Sequence, residues 1–161
     1  MLRAPRGFLV SYSLPPVAIA LGRIALDIAC VALAGRVSRG VTRVAQSEVV
    51  QMAIGEAAAA IDVATKLLHT GREASTAAVS SGRRITEAKA LRARRDMVYA
   101  QHQVAWAVDK LCELDGARSV YDTDALGAIR RVVMTILTHH AASRQAAMAP
   151  YGKMLLTRLA G

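Results

Sequence analysis

The strongest constraint on this chain is a helical spacing of apolar residues that recurs along most of its length. Val49, Val50, Ala53, Ala57, Ala60, Ile61, Ala64, Leu67 and Leu68 return every three or four positions, which sets one face of an α-helix against a core. Leu91, Val98, Ala105, Val108 and Cys112 do the same, with Met97, Val104 and Leu111 widening the stripe. Leu126, Ile129, Val133, Ile136, Leu137 and His140 form a third such face. Aromatic residues are only 4% of the chain, so few positions suit the half-buried surface of a sheet. The pattern predicts an all-α chain: an up-and-down four-helix bundle with a short fifth helix at its C-terminal end.

Punctuation gives the boundaries. Pro15 and Pro16 open a helix, because proline is pre-organised for a first turn and has no need of the missing amide hydrogen there. The run Val17 to Leu33 is apolar enough to resemble a membrane span, but Arg23 and Asp27 lie within it. Either charge is costly in hydrocarbon, and at i, i+4 the two are placed to pair on one helix face. This reads as a core helix ending near Gly35 or Gly40, with no membrane partner. A second helix runs from Gln46 to Leu68 behind Ser47 as cap and Glu48 in the first turn. It continues weakly to Val79, and Ser80-Ser81-Gly82 is the turn. The third spans Thr86 to Leu114 with Thr86 as a cap, and Gly116 closes it. Thr123 or Asp124 caps the fourth, which carries through His139 and His140. Pro150 stands before a short fifth helix from Tyr151 to Leu159.

At 161 residues the chain is one domain by size. Residues 1–14 read as a disordered or residual N-terminal segment and 15–161 as the bundle. Met1 to Ser13 vaguely resembles a secretory leader, but no clean cleavage site follows. Cys30 and Cys112 sit on apolar stretches, form no CxxC motif and are expected as small buried hydrophobes. Their use suits a reducing, cytoplasmic setting.

A net charge of +9 attracts anions in general without choosing among them. Arg83, Arg84, Lys89, Arg92, Arg94 and Arg95 crowd the start of the third helix, yet no aromatic residues are interleaved to stack bases, so nucleic acid is not the expected partner. Arg36, Arg39 and Arg43 follow the first helix. There they complement its dipole, or their forks hold a phosphate. No GxSxG elbow, P-loop or GxGxxG occurs, and no Glu-x-x-His of a di-iron bundle. The four histidines show no zinc-ligand spacing, so no metal site is expected. The dense constellation is Arg130-Arg131 followed by His139-His140. On one helix, Arg131 and His139 lie roughly 80° apart in azimuth and ~12 Å apart along the axis.

The order Gly116-Ala-Arg-Ser-Val-Tyr121, Asp124-Ala-Leu126, Ile129-Arg-Arg131, His139 and Tyr151-Gly152-Lys153-Met-Leu-Leu156 resembles the C-terminal domain of the acyl-CoA dehydrogenase superfamily. Within it, the pattern is nearer to the two-component flavin-dependent monooxygenases, the aromatic hydroxylases and dibenzothiophene-type enzymes. Pro16 to Arg36 resembles the first helix of that domain, so the likeness covers nearly the whole chain. It implies a bundle that tetramerises and works with reduced FMN or FAD, supplied by a separate flavin reductase and reacting with oxygen to a flavin hydroperoxide.

Carried over by position, His139 matches the family histidine that faces the flavin ring and assists proton transfer. Imidazole suits that role because it gives and takes protons near neutral pH. Arg36 and Arg39 fall where the family places a flavin phosphate-binding arginine. Gly116, Ala117 and Ser119 match the loop that approaches a neighbouring subunit's flavin, and Arg131 matches the family's Arg-Asp pair. Three positions depart from the pattern: Gly127-Ala128 where Gln-Arg is usual, Val132 where Asp follows the arginine, and Gly116-Ala117 where two glycines are common. The N-terminal and middle domains of the family have no counterpart in these residues, so the expectation is a stand-alone or truncated C-terminal domain, incomplete on its own, or one that works with a separate chain supplying them. The alternatives are an acyl-CoA dehydrogenase-type domain and a non-catalytic oligomerisation module. A dehydrogenase uses a carboxylate base, and no glutamate stands at an obvious base position.

Overall fold

The computed structural model describes residues 12–37 and 43–159. Arg39, expected at a phosphate, lies outside them. The described residues form five α-helices joined by turns: α1 (Pro15–Ala34), α2 (Glu48–Ser80), α3 (Glu87–Asp115), α4 (Ala125–Thr138) and α5 (Arg144–Leu159). A lone antiparallel bridge, Val37 to Arg43, is their only extended pairing.

α3 is the mast of the bundle. It packs against α1, α2, α4 and α5, so its buried residues run round most of its circumference, from Met97 and Val98 through Ala100, Val104, Val108 and Leu111. Thr86 caps it as expected, its hydroxyl accepting the Lys89 amide at 3.4 Å. α1 lays Ala18, Ile19, Gly22, Ala25, Ala29 and Leu33 against the core. At position 22 α1 lies close against α3. A Cβ there would stand 2.7 Å from Cγ1 of Val104, so only glycine permits the approach.

By length and mean hydropathy, 20 residues at 2.1, α1 is apolar enough to cross a membrane; one side of it packs on the bundle, and much of the rest is exposed. The expected Arg23–Asp27 pair is not formed among the described residues. Arg23 instead donates across to the Thr65 hydroxyl of α2 at 3.2 Å. An exposed i, i+4 pair contributes only about 0.3–0.5 kcal/mol, too little to hold the arginine on its own helix.

As expected, α2 runs on past Leu68, and it is continuous to Ser80. Gly71 within it is a seat for Tyr12, whose hydroxyl would lie 2.8 Å from a Cβ at that position. Gly82, at φ 64°, makes the turn. α5 begins at Arg144, seven residues earlier than Tyr151, and takes Pro150 inside it. Ser143 starts it by accepting the Ala146 amide at 3.3 Å. Buried Ala147 and the Arg95 guanidinium over the Tyr151 ring at 4.1 Å hold it on α3, which offsets the lost amide of proline. Finally, Cys112 is buried but Cys30 is exposed, because α1 turns it away from α3. Val17, Ile24 and Val31, seven residues apart, share that outward side and are 49%, 50% and 77% exposed.

The two kinds of glycine can be told apart by measurement. Gly22→Ala should lower the urea midpoint by about 1–3 kcal/mol of stability through overpacking. Gly55→Ala, in α2 with nothing near its Cβ position, should raise it by about 1 kcal/mol. A loss at both positions would contradict the packing described.

Candidate functional site

One end of the bundle gathers most of the residues singled out from the sequence. There α1 and α3 finish and α4 begins. α3 stops at Gly116, whose φ of 73° no side-chain-bearing residue adopts readily. A 3-10 turn, Gly116–Val120, follows. The Ser119 hydroxyl ties it back, donating to the carbonyls of Gly116 at 2.9 Å and Cys112 at 3.3 Å. Asp124 then caps α4 by accepting the Gly127 amide at 2.7 Å.

Arg36 joins α1 to this end. Its Nη1 donates to the carbonyls of Leu114 and Asp115, each at 3.2 Å. These belong to the last turn of α3, where a cation is favoured by the helix dipole. Nη2 of the same guanidinium lies 4.0 Å from the Cβ position of Gly116. Arg131 approaches from α4, donating to the Asp122 carbonyl at 3.3 Å and standing 3.9 Å from its carboxylate. Arg36, Gly116, Ala117, Ser119 and Arg131 are thus brought together, with both arginines exposed.

Gly127 makes this arrangement possible. A Cβ at 127 would overlap the carbonyl oxygen of Ser119 and lie 3.0 Å from its carbonyl carbon. The turn can therefore rest on the first turn of α4 only because residue 127 has no side chain. Sequence reasoning missed this role. The available signal was a glycine three residues after the Asp124 cap, where a helix former is expected.

His139 lies at the far end of α4, about 10 Å along the axis from Arg131. It is not on the helix. α4 ends at Thr138, and His139 has extended backbone at φ −69°, ψ 136°. It starts a short 3-10 turn, His140–Ala142, with its Nδ1 accepting the Ala141 amide at 3.1 Å. The cause is local: a side chain that accepts its own backbone two residues on competes with helix continuation. The shared face expected for His140 is lost with it, and both histidines are exposed. Their rings meet edge-on at 6.1 Å. With Nδ1 an acceptor, a neutral His139 carries its proton on Nε2.

His102, which the sequence did not mark, supports this turn from α3. Its Nε2–H donates to the Ala142 carbonyl at 3.2 Å. Burial is the main influence lowering its pKa from 6.5; the bond to Ala142 opposes this, and Arg144 adds to it. Burial also pushes the Cys112 thiol up to about 11, so it is protonated at neutral pH. Arg130 is held charged by Asp109. No cluster of metal-ligating side chains occurs among the described residues.

Residues 13–144 match the family described as the acyl-CoA dehydrogenase C-terminal domain. The chain belongs to this acyl-CoA dehydrogenase C-terminal domain family. No curated protein matches it by sequence. Among solved structures, XiaF from Streptomyces sp. in complex with FADH2 and glycerol superposes with a TM-score of 0.85 at 21% identity, over 91% of this chain and 38% of that one. The 3-HSA hydroxylase of Rhodococcus sp. RHA1 gives 0.84 at 22%, over 95% and 40%. The HsaA monooxygenase of M. tuberculosis gives 0.82 at 24%, over 95% and 39%. The chain thus spans about two fifths of the length of the relatives whose fold it shares.

The His102 contact makes a pH-dependent prediction. A folded-state pKa below the unfolded value means that the unfolded chain binds the proton more readily, so stability falls as pH drops through and below 6.5. His102→Gln should reduce that loss between pH 7 and pH 5 in urea titrations. Parallel pH profiles for the two proteins would contradict the assignment.

Proposed function

We propose that this chain is the flavin-contacting helical domain of a reduced-flavin monooxygenase. The observation that carries the reading is the convergence of Arg36, the Gly116–Val120 turn and Arg131 at one end of the bundle. Two exposed guanidinium groups flank a turn whose backbone is open on one side, which suits an anionic phosphate group. Arg36 and Arg131 would hold the flavin phosphates, and Gly116, Ala117 and Ser119 would allow close backbone approach. Arg39 is proposed for the same role from its place in the sequence. His139, with its outward Nε2–H, would hold and move a proton near the ring. Bound reduced FMN or FAD would supply the electrons for dioxygen chemistry. The carboxylate alternative finds little support, since Glu113 is paired with Lys110 at 3.0 Å on an exposed face.

In this reading the remaining walls of the pocket come from sequence outside the chain. A homotetramer, a flavin reductase and a cytoplasmic setting belong to the same proposal. The outward Val17, Ile24 and Val31 of α1 offer an apolar face for such assembly.

Binding separates the parts of this claim. Alone, the chain should not bind reduced FMN or FAD tightly by anaerobic fluorescence titration. With the other family domains supplied, binding should appear, and Arg36→Ala should weaken it about tenfold or more, as expected for loss of a charge-assisted contact. His139→Asn should leave affinity within about twofold while slowing dioxygen-dependent turnover by about 10²–10⁴-fold. Flavin binding that ignores Arg36, or turnover that ignores His139, would contradict the proposal.

A further inference from the structure

The α2–α3 hairpin carries a second feature away from the candidate site. Near its turn, Ala78, Ile85 and Ala93 form a small core of their own, packed with Tyr12 and Ala90 and separate from the main one. Beside it opens a cavity of about 410 Å³, within the range of small-molecule sites. None of the residues lining it is shared with the Arg36, Gly116, Arg131 or His139 positions.

Its walls and its rim differ in chemistry. Val63, Leu67, Ala74, Ile85 and Ala93 line it with the Tyr12 side chain, Ile85 and Ala93 buried, Val63 and Ala74 exposed. The hydroxyls nearby are largely engaged: Ser75 donates to the Gly71 carbonyl at 2.6 Å and meets the Tyr12 hydroxyl at 3.3 Å. Four charged residues edge the opening: Lys66 from α2, and Lys89, Arg92 and Asp96 from α3. Asp96 is already held by Arg92 at 3.8 Å and, more closely, by Arg95. Neither Lys66 nor Lys89 has an ion-pair partner among the described residues. The mouth is therefore cationic on both helices, while its one carboxylate is neutralised.

We propose that this cavity binds a small amphipathic monoanion, with its apolar body against Leu67, Ala74, Ile85 and Ala93 and its anionic end toward Lys66 and Lys89. A hydrated polyanion would leave the walls unpaired with its polar groups. A neutral or cationic amphiphile would forgo the two lysines.

Isothermal titration of the full chain with alkyl carboxylates tests this, using decanoate as probe and decanol and decylammonium as controls. Decanoate should bind at one site. Each methylene added from hexanoate to decanoate should tighten binding about fourfold. Decylammonium should bind at least about tenfold more weakly, since two like charges face it. The double variant Lys66→Glu with Lys89→Glu changes only exposed side chains, and should reverse the preference between decanoate and decylammonium. Ala74→Trp should abolish binding of both by filling the space, with the circular dichroism of the folded chain as control. Absence of saturable decanoate binding, as would follow if another part of the polypeptide fills the cavity, overturns the proposal. So do equal affinities for the three head groups, or a double variant that binds decanoate as the native chain does.

Discussion

The contact on which the candidate site depends is between two stretches of backbone. The carbonyl of Ser119 rests where a side chain of residue 127 would be, so the Gly116–Val120 turn lies directly on the first turn of α4. Everything else at this end follows from that approach. Ser119 can reach back to Gly116 and Cys112, Asp124 can cap Gly127, and Arg131 can reach Asp122. Arg36 adds the tie to α1 by donating to the last carbonyls of α3. The turn is thereby set by the chain itself, before any ligand arrives, and pre-ordered groups lose less freedom on binding.

α3 supplies the rigidity behind it. A helix buried on most sides cannot shift without disturbing four neighbours, and close-packed interiors transmit such strain. The same helix carries the Gly116 end, the His102 support for the His139 turn, and the wall of the α2–α3 cavity. These three regions sit at different levels of one mast, which lets each be altered separately by substitution.

Much of the fold was legible because it rests on periodicity. Most residues of the buried stripes of α3 and α4 are those the spacing names, although Leu91 and Leu137 are only partly buried and His140 lies off the helix, and the caps at Thr86 and Asp124 form as their side chains dictate. Other features depended on competition between nearby groups of similar strength, which a one-dimensional pattern does not rank. Arg23 chose a hydroxyl on α2 over Asp27 on its own helix. Pro150 was tolerated because Ala147 and Tyr151 dock on α3. His139 left the helix because its own ring accepts the Ala141 amide. Gly127 is the plainest case. In sequence it reads only as a departure from the family pattern, whereas in three dimensions it is the space that the turn occupies. Close approach between segments leaves no trace in spacing until both partners are placed.

The missing side chain at residue 127 is what holds the turn in place. Amide hydrogen exchange by NMR on the native chain and on Gly127→Ala tests it most directly. The Tyr121 amide, bonded to the Arg118 carbonyl, and the Asp124 amide, bonded to the Tyr121 carbonyl, should be protected in the native chain. In the variant both should exchange markedly faster, while amides in the middle of α3, such as Val104, keep their protection. Equal protection of Tyr121 and Asp124 in the two proteins, or none in the native chain, would contradict the account.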